Sequence, residues 1–303
     1  MNLRPWIRIS KPFKHQTMIY PFLLGTAISY YDTGTIDPLI FALSLLAVII
    51  MVEAAYISND YFDYETDLRN PSHFTGGSKV LVAGELEKEA VLKMTAVLIG
   101  VAFILGVILQ FYLKTGPLSI PIGAFGMFLA YSYSGSPLKL SYRGLGEISL
   151  AFNNAWTPIF AGYYLQAHRP DWLPTLVAIP YILAVFGQKL LRELPDVEYD
   201  TRAGRRNLVV ILGKERAGKL YLFSLLITIA SLLLIIPYLS DLLPFTLLML
   251  IPALMLLLNL WHGRKGEWKE LKGLERMNRD GFRAMFAIPI LFILVFILSG
   301  VIG

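Results

Sequence analysis

Long apolar runs alternate along this chain with short polar segments, and the runs lack both the period-two alternation and the one-faced pattern of a water-soluble core. Nine runs reach or approach the roughly 20 residues that a helix needs to cross a hydrocarbon layer about 30 Å thick. They lie near Thr17 to Tyr31, Leu39 to Ser58, Ala90 to Leu113, Leu118 to Tyr133, Ile148 to Leu165, Leu173 to Leu190, Leu220 to Leu239, Leu243 to Trp261 and Ala284 to Ile302. Lipid offers no partner to a free backbone N–H or C=O, so each run is predicted to be a helix. The expected fold is therefore an all-α integral membrane domain over residues 1–303 with about nine transmembrane helices.

The basic residues test this map independently, because cytoplasmic loops collect Lys and Arg. With the N-terminus inside, the inner segments carry Arg4 to Lys14, Arg69 to Lys93, Lys139 and Arg143, Lys189 to Lys219, and Arg264 to Arg283. Of the 27 Lys and Arg, only Lys114 and Arg169 fall outside these segments. The pattern predicts a multi-pass protein of the cell membrane with its N-terminus and basic loops cytoplasmic. The net charge of +5 then reflects topology and contact with anionic headgroups of the bilayer, and no nucleic-acid partner is expected. A basic N-terminal stretch before an apolar run also resembles a signal peptide, but no small-residue cleavage site follows Tyr31, so the first helix is expected to be retained. With 55% hydrophobic and 16% charged residues, the composition agrees with a membrane protein, and the lack of cysteine removes thiolate metal sites, disulfides and cysteine nucleophiles.

Two of the inner segments are related. NDYFDYETDLR follows the second run and RELPDVEYDTR the sixth, and both contain D-x-E-x-D-x-R: Asp63, Glu65, Asp67, Arg69 and, 133 residues on, Asp196, Glu198, Asp200, Arg202. This suggests an internally duplicated helix-loop unit whose two loops face one site. On a helix, residues four apart advance only about 40° around the axis, so Asn59, Asp63 and Asp67 share a face, as do Asp196 and Asp200. Asp60 is compatible with the same face, and spacing alone does not choose between it and Asn59. Eight residues rise about 12 Å, too far for one ion to be held by all three side chains. Mg2+ takes hard oxygen ligands, usually only one or two carboxylates, and completes its octahedron with water and phosphate oxygens. Two facing carboxylate clusters at a membrane boundary suit a diphosphate clamped through Mg2+. Glu65 and Glu198 point away from the shared faces, and Glu193, beyond the helix-breaking Pro195, is a possible further ligand.

Arg and Lys in these loops match phosphate oxygens by fork and by point charge. Arg69, Lys79, Lys139, Arg202 and Arg206 are candidates for the diphosphate, with Lys79, Lys139 and Arg206 preferred over simple positive-inside placement. Within the apolar runs, Glu53 should face the bundle interior, because an ionisable group at the bilayer centre costs roughly 2.5 to 3.5 kcal/mol. Asn153, Asn154 and Gln188 are expected to tie helices together. The four His show no metal-ligand spacing, and His73 alone sits in a candidate catalytic loop.

Asn59, Asp63 and Asp67 with Asp196 and Asp200 resemble the N-x-x-x-D-x-x-x-D and D-x-x-x-D motifs of the UbiA superfamily of intramembrane prenyltransferases. The segments Phe74 to Leu86, Tyr131 to Glu147 and Leu194 to Gly213 are similar to the menaquinone-pathway branch, which prenylates 1,4-dihydroxy-2-naphthoate; Lys79 departs from that branch's small residue. The resemblance implies a nine-helix fold in which these five residues hold Mg2+ and bind a prenyl diphosphate, with Asp63, Asp67, Asp196, Asp200 and Lys139 as catalytic groups. It also implies an aromatic acceptor, for which Arg143 and Arg192 are candidate anchors. Tyr131 and Tyr133 could stabilise an allylic cation through their rings. An ion-coupled secondary transporter would place its acids near the midplane instead of at one membrane face. A phosphoalcohol transferase would carry D-G-x-x-A-R, which is lacking here, and an enzyme alkylating a glycerol phosphate ether would be expected to carry R-P-x-R-P where this chain reads NPSHFTGGSKV.

Overall fold

The computed structural model describes residues 3–69 and 77–302, and among them every regular element is helical. Phe74 to Gly76 of the glycine-containing segment, and His73, lie outside the described residues. A short α1 (Arg4–Ser10) leads into α2 (Gln16–Thr33) and α3 (Pro38–Phe62), and α4 (Tyr64–Arg69) continues from α3 after a break. Then come α5 (Lys88–Val107), prolonged by a wide turn over Ile108–Tyr112, and α6 (Ser119–Ser134). The fifth apolar run is a composite of α7 (Gly146–Ala151), a π-turn (Phe152–Trp156) and α8 (Thr157–Ala167). The second half holds α9 (Leu173–Glu193), α10 (Val197–Arg202), α11 (Leu208–Leu212), α12 (Lys214–Tyr238), α13 (Leu250–Arg264) and α14 (Leu271–Ile302).

Six helical stretches among the described residues are long and apolar enough to cross a membrane: Pro38–Phe62, Lys88–Tyr112, Leu173–Arg202, Lys214–Tyr238, Phe245–Arg264 and Leu271–Val301. The chain is thus a multi-pass membrane protein. The remaining three expected runs also form helices, but α2 and α6 are short or diluted by Tyr, Thr, Ser and Gly, and the fifth is interrupted by its π-turn. At the other extreme, α14 starts thirteen residues before the apolar run at Ala284, because Leu271 to Arg283 forms an amphipathic helical lead-in.

Local chemistry explains the helix starts. The Asp37 side chain accepts hydrogen bonds from the N–H groups of Leu39 (2.8 Å) and Ile40 (2.9 Å), and Pro38 fills the first turn of α3, where no N–H is needed. Packing within lipid depends on close backbone approach, and α2 and α8 achieve it through two glycines. A Cβ at Gly25 would fall against the carbonyl of Ile159, and one at Gly162 against that of Phe22. The main core gathers α2, α8, α9, α12, α13 and α14 around buried Tyr163, Tyr181, Tyr221, Phe292 and Phe296. Of the six apolar stretches, the one containing α5 buries the smallest share of its residues, leaving α3, α5 and α6 to enclose a cavity described below.

Candidate active site

Each acid motif sits where a long helix breaks into a short one. Asp63 caps α3 with φ −87° and ψ 3°, and Asp196 precedes α10 with φ −92° and ψ 1°. The single uninterrupted face expected from spacing is therefore bent at both motifs, at Asp63 in one and over Leu194–Asp196 in the other. The i, i+4 bonds persist across the first break, Asp63 N–H to Asn59 C=O at 2.9 Å and Asp67 N–H to Asp63 C=O at 2.8 Å. Asn59, Asp63 and Asp67 consequently follow one helical path despite the bend.

Hydrogen bonds set Asn59 and Asp60 in different surroundings. Asp60 is buried, and its Oδ1 lies 2.5 Å from Lys11 Nζ while its Oδ2 accepts from the Ser78 N–H at 3.0 Å and from the Ser78 hydroxyl. Both of its oxygens are occupied by protein. Asn59 Oδ1 and Asp63 Oδ1 are buried with no hydrogen-bond partner among the described residues. A buried polar oxygen without a partner is costly, so these two atoms are suited to an incoming cation or donor. Asp67 Oδ1 accepts from the Gly77 N–H at 3.2 Å. Burial pushes its carboxyl up to about 6, with Asp63 and Asp60 reinforcing the shift and the Gly77 bond and Lys11 opposing it.

The second motif is braced by residues that spacing did not single out. Asp200 is buried, and its Oδ2 accepts from Asn207 Nδ2 at 2.6 Å; Asn207 Oδ1 in turn caps α11 by accepting from the Val210 N–H at 2.8 Å. Asp196 is buried beside the same break. Arg205 donates to the Tyr133 hydroxyl at 3.1 Å, lies over the rings of Tyr133 and Tyr142, and is within electrostatic reach of both Asp63 and Asp200. Tyr142 also hydrogen-bonds Thr66 of α4 at 2.6 Å, so Arg205 and Tyr142 join the two motifs. Glu193, considered above as a ligand, has one oxygen engaged, Oε1 lying 2.8 Å from Lys189 Nζ and 3.9 Å from Arg205, while its Oε2 is buried with no hydrogen-bond partner among the described residues. Glu147 Oε1 accepts from the Leu208 N–H at 2.7 Å, which fastens the second acid loop to α7.

The basic candidates divide by position. Lys79 and Lys139 both adopt left-handed backbone conformations, with φ 58° and 43°, as does Lys11 with φ 52°. Such conformations cost a non-glycine residue on the order of 1 kcal/mol and often mark functional segments. Lys139 lies over Tyr142 at 5.6 Å. Arg69, Arg202 and Arg206 are exposed, and Arg143, also exposed, donates to the Pro137 carbonyl at 3.1 Å. Arg192 stacks over Phe282 at 5.4 Å. Tyr131 donates to the Ser136 carbonyl at 2.8 Å and packs edge-on to Phe62, whereas Tyr133 is buried beneath Arg205 and Lys189.

Behind the acids, α3, α5, α6 and α8 enclose an apolar cavity of about 640 Å³. Ser58, Tyr61, Phe62 and Tyr131 line it near the first motif, and Ser44, Leu109 and Leu165 line it at the far end. From Ser44 to Phe62 the helix rises about 27 Å, so the cavity follows most of a bilayer's apolar depth. A recess of about 70 Å³ adjoins it, lined by Tyr56, Asn59, Tyr133, Asn153 and Asn154. The two share Met18, Ala55, Ala130 and Asn153. Among the described residues no three acidic or histidine side chains converge to hold an ion alone, an arrangement compatible with Mg2+ that takes few carboxylates and fills its sphere from water and phosphate.

Comparison with known sequences decides the family: the model of the UbiA prenyltransferase family matches residues 18–275. The chain belongs to that family. It is 23% identical to the 1,4-dihydroxy-2-naphthoate octaprenyltransferase of Bacillus subtilis over 69% of this chain and 66% of that protein, so it spans just under two thirds of that relative. It is 28% identical to the 2-carboxy-1,4-naphthoquinone phytyltransferase of Synechocystis, over 72% of this chain and 69% of the relative. It is also 26% identical to the digeranylgeranylglyceryl phosphate synthase of Pyrococcus abyssi, over 77% of this chain and 78% of the relative. Among solved structures, a UbiA homologue from Archaeoglobus fulgidus bound to GPP and Mg2+ superposes with a TM-score of 0.67 at 14% identity, covering 98% of this chain and 100% of the other. With its six long apolar helices, the chain is a multi-pass membrane protein of the UbiA prenyltransferase family.

Within this UbiA enzyme, the polar residues of the apolar runs behave differently from one another. Gln188 ties α9 to α14 through Asn278, at 2.9 Å to its carbonyl and 2.7 Å to its side chain. Glu53 lies 3.2 Å from His15. Asn153 makes no helix-to-helix hydrogen bond among the described residues and faces the recess, contrary to the structural role expected for it. Arg205, Tyr142 and Asn207 are the residues around the two motifs that sequence reasoning missed. Proximity to the D-x-x-x-D motif was the one signal for Arg205 and Asn207, shared by Arg202 and Arg206, and Tyr142 had only its place between Lys139 and Arg143.

Proposed function

We propose that this enzyme transfers a prenyl group from a prenyl diphosphate to an aromatic acceptor, with Mg2+ as cofactor and 1,4-dihydroxy-2-naphthoate as the acceptor. The observation that carries this reading is the placement of unpartnered Asn59 Oδ1 and Asp63 Oδ1 between a second carboxylate motif and an apolar cavity deep enough for an isoprenoid tail. All nine helical stretches would cross the bilayer, with the N-terminus and both acid motifs on the cytoplasmic side, as the distribution of Lys and Arg favours.

Asn59, Asp63, Asp67, Asp196 and Asp200 would hold the metal. When bound, Mg2+ supplies positive charge to the diphosphate as negative charge develops on it. The chain's own residues do the rest. Arg205 places a guanidinium between the two motifs, and Lys79 and Lys139 add point charges at their rim, so the departing diphosphate meets fixed donors. The cavity holds the tail among Ala47, Met51, Gly123 and Gly126 and keeps water from the allylic cation. The Tyr131 ring, lining the cavity next to Phe62, offers its π-face to that cation. Arg192 and Arg143 are the proposed anchors for the acceptor carboxylate, which is lost on prenylation.

Incubation of purified protein with geranylgeranyl diphosphate and either 1,4-dihydroxy-2-naphthoate or geranylgeranylglyceryl phosphate, followed by product mass analysis, tests the acceptor. The naphthoate should give the Mg2+-dependent product. Efficient product from the glycerol phosphate ether alone would overturn the aromatic assignment and leave prenyl transfer standing.

A further inference from the structure

The recess beside Asn59 owes its polarity to a local fault in the fifth apolar run. In an α-helix the Thr157 N–H would bond the Asn153 carbonyl, but here it bonds the Phe152 carbonyl, one residue earlier, and makes a π-turn over Phe152–Trp156. The next residue, Pro158, has no N–H to give, so the helix leaves the Asn153 carbonyl without a partner from either position. π-turns insert a residue into the helical register and re-aim the side chains around it. The Asn153 side chain is thereby turned into the junction of the recess and the large cavity, both of which it lines.

Asn153 is 7% exposed, and its side chain has no hydrogen-bond partner among the described residues. The two tyrosines of the recess are committed: the Tyr56 hydroxyl donates to the Lys14 carbonyl at 3.4 Å, and the Tyr133 hydroxyl accepts from Arg205. A buried amide left open toward a cavity is unfavourable until something fills it. The opposite wall is Gly126, where a Cβ would stand 3.5 Å from Asn153 Oδ1, so the absence of a side chain there leaves room beside the amide. At the other end of the recess stands Asn59, whose Oδ1 is also open.

We propose that Asn153 orients the acceptor, its amide hydrogen-bonding a ring hydroxyl of the aromatic substrate in the recess while the rest of the ring occupies the mouth of the large cavity. This rests on the aromatic prenyl-transfer reading given above. An amide both donates and accepts, as a phenolic hydroxyl does, and it recognises that group without adding charge near an allylic cation. The recess alone is too small for a bicyclic ring, but its shared wall with the 640 Å³ cavity lets the polar edge of the ring lie against Asn153.

Steady-state kinetics of Asn153→Ala with 1,4-dihydroxy-2-naphthoate and geranylgeranyl diphosphate test the assignment. The KM for the naphthoate should rise at least about tenfold while the KM for geranylgeranyl diphosphate stays within about twofold. Mg2+-dependent hydrolysis of geranylgeranyl diphosphate without acceptor should be unchanged and reports a folded donor site. Asn153→Ser should recover part of the naphthoate KM. If Asn153→Ala does not fold, Asn153→Leu, of similar shape but unable to hydrogen-bond, should raise the same KM selectively. An unchanged naphthoate KM, or an equal rise in both KM values, overturns the role of Asn153 alone. A wild-type enzyme that alkylates only geranylgeranylglyceryl phosphate overturns the aromatic reading and this role with it.

Discussion

Asp63 and Asp196, 133 residues apart, adopt nearly the same backbone conformation, φ −87°, ψ 3° and φ −92°, ψ 1°, each at the point where a long helix gives way to a short one. Equivalent geometry in the two repeats implies equivalent work. Asp63→Ala and Asp196→Ala should each lower kcat/KM at least about 100-fold, roughly 2.7 kcal/mol of transition-state stabilisation, without loss of helical signal by circular dichroism. Glu65→Ala, at an exposed position, should change it no more than about threefold.

Asn59 and Asp60 are adjacent but should fail in different ways. Asp60→Ala strips the partner from Lys11, whose side chain is only 15% exposed, and should lower stability by about 3 kcal/mol or more. Thermal unfolding in detergent reads this directly. Asn59→Ala should leave the unfolding temperature near that of the parent and instead raise the Mg2+ concentration needed for half-maximal rate.

This contrast shows where the sequence was legible. Spacing of four placed Asn59, Asp63, Asp67, Asp196 and Asp200 on helical paths, because that periodicity survives a bend at the helix end. It could not separate Asn59 from Asp60, since the deciding partners, Lys11 and Ser78, come from segments distant in the chain. Arg205 was likewise hidden among Arg202 and Arg206, because the turn at Gly204, with φ 72°, determines which guanidinium faces inward. Asn153 was misjudged because its orientation depends on a π-turn. Pro158, five residues on, was the available signal.

The loop that carries Asp200 depends on Asn207. Asn207→Ala removes both the 2.6 Å bond to Asp200 and the cap of α11, and should cost about 1 kcal/mol in stability together with about tenfold in kcat/KM. Unfolding and kinetic measurements on the same sample separate the two losses.

Asp67 makes metal binding dependent on pH. Its carboxyl titrates near 6 in the metal-free protein, because burial, reinforced by Asp63 and Asp60, favours the neutral form. A raised carboxyl value means that the folded state binds more protons than the unfolded one between the ordinary carboxylate range and pH 6, so Asp67 alone makes the metal-free fold less stable as pH rises through that window. Mg2+ requires the carboxylate, and the concentration for half-maximal rate should therefore rise as pH falls below about 6, approaching tenfold per pH unit for one competing proton. Asp67→Asn should flatten that dependence in titrations of rate against Mg2+ at several pH values.

Both acid motifs are proposed to act together, through Mg2+, on one diphosphate. Calorimetric titration of the purified protein with a non-hydrolysable thio analogue of geranylgeranyl diphosphate tests it most directly. Binding should require Mg2+ and should disappear in Asp63→Ala and in Asp196→Ala, each measured separately. Tight binding in the presence of a chelator, or full Mg2+-dependent affinity in either variant, would contradict it.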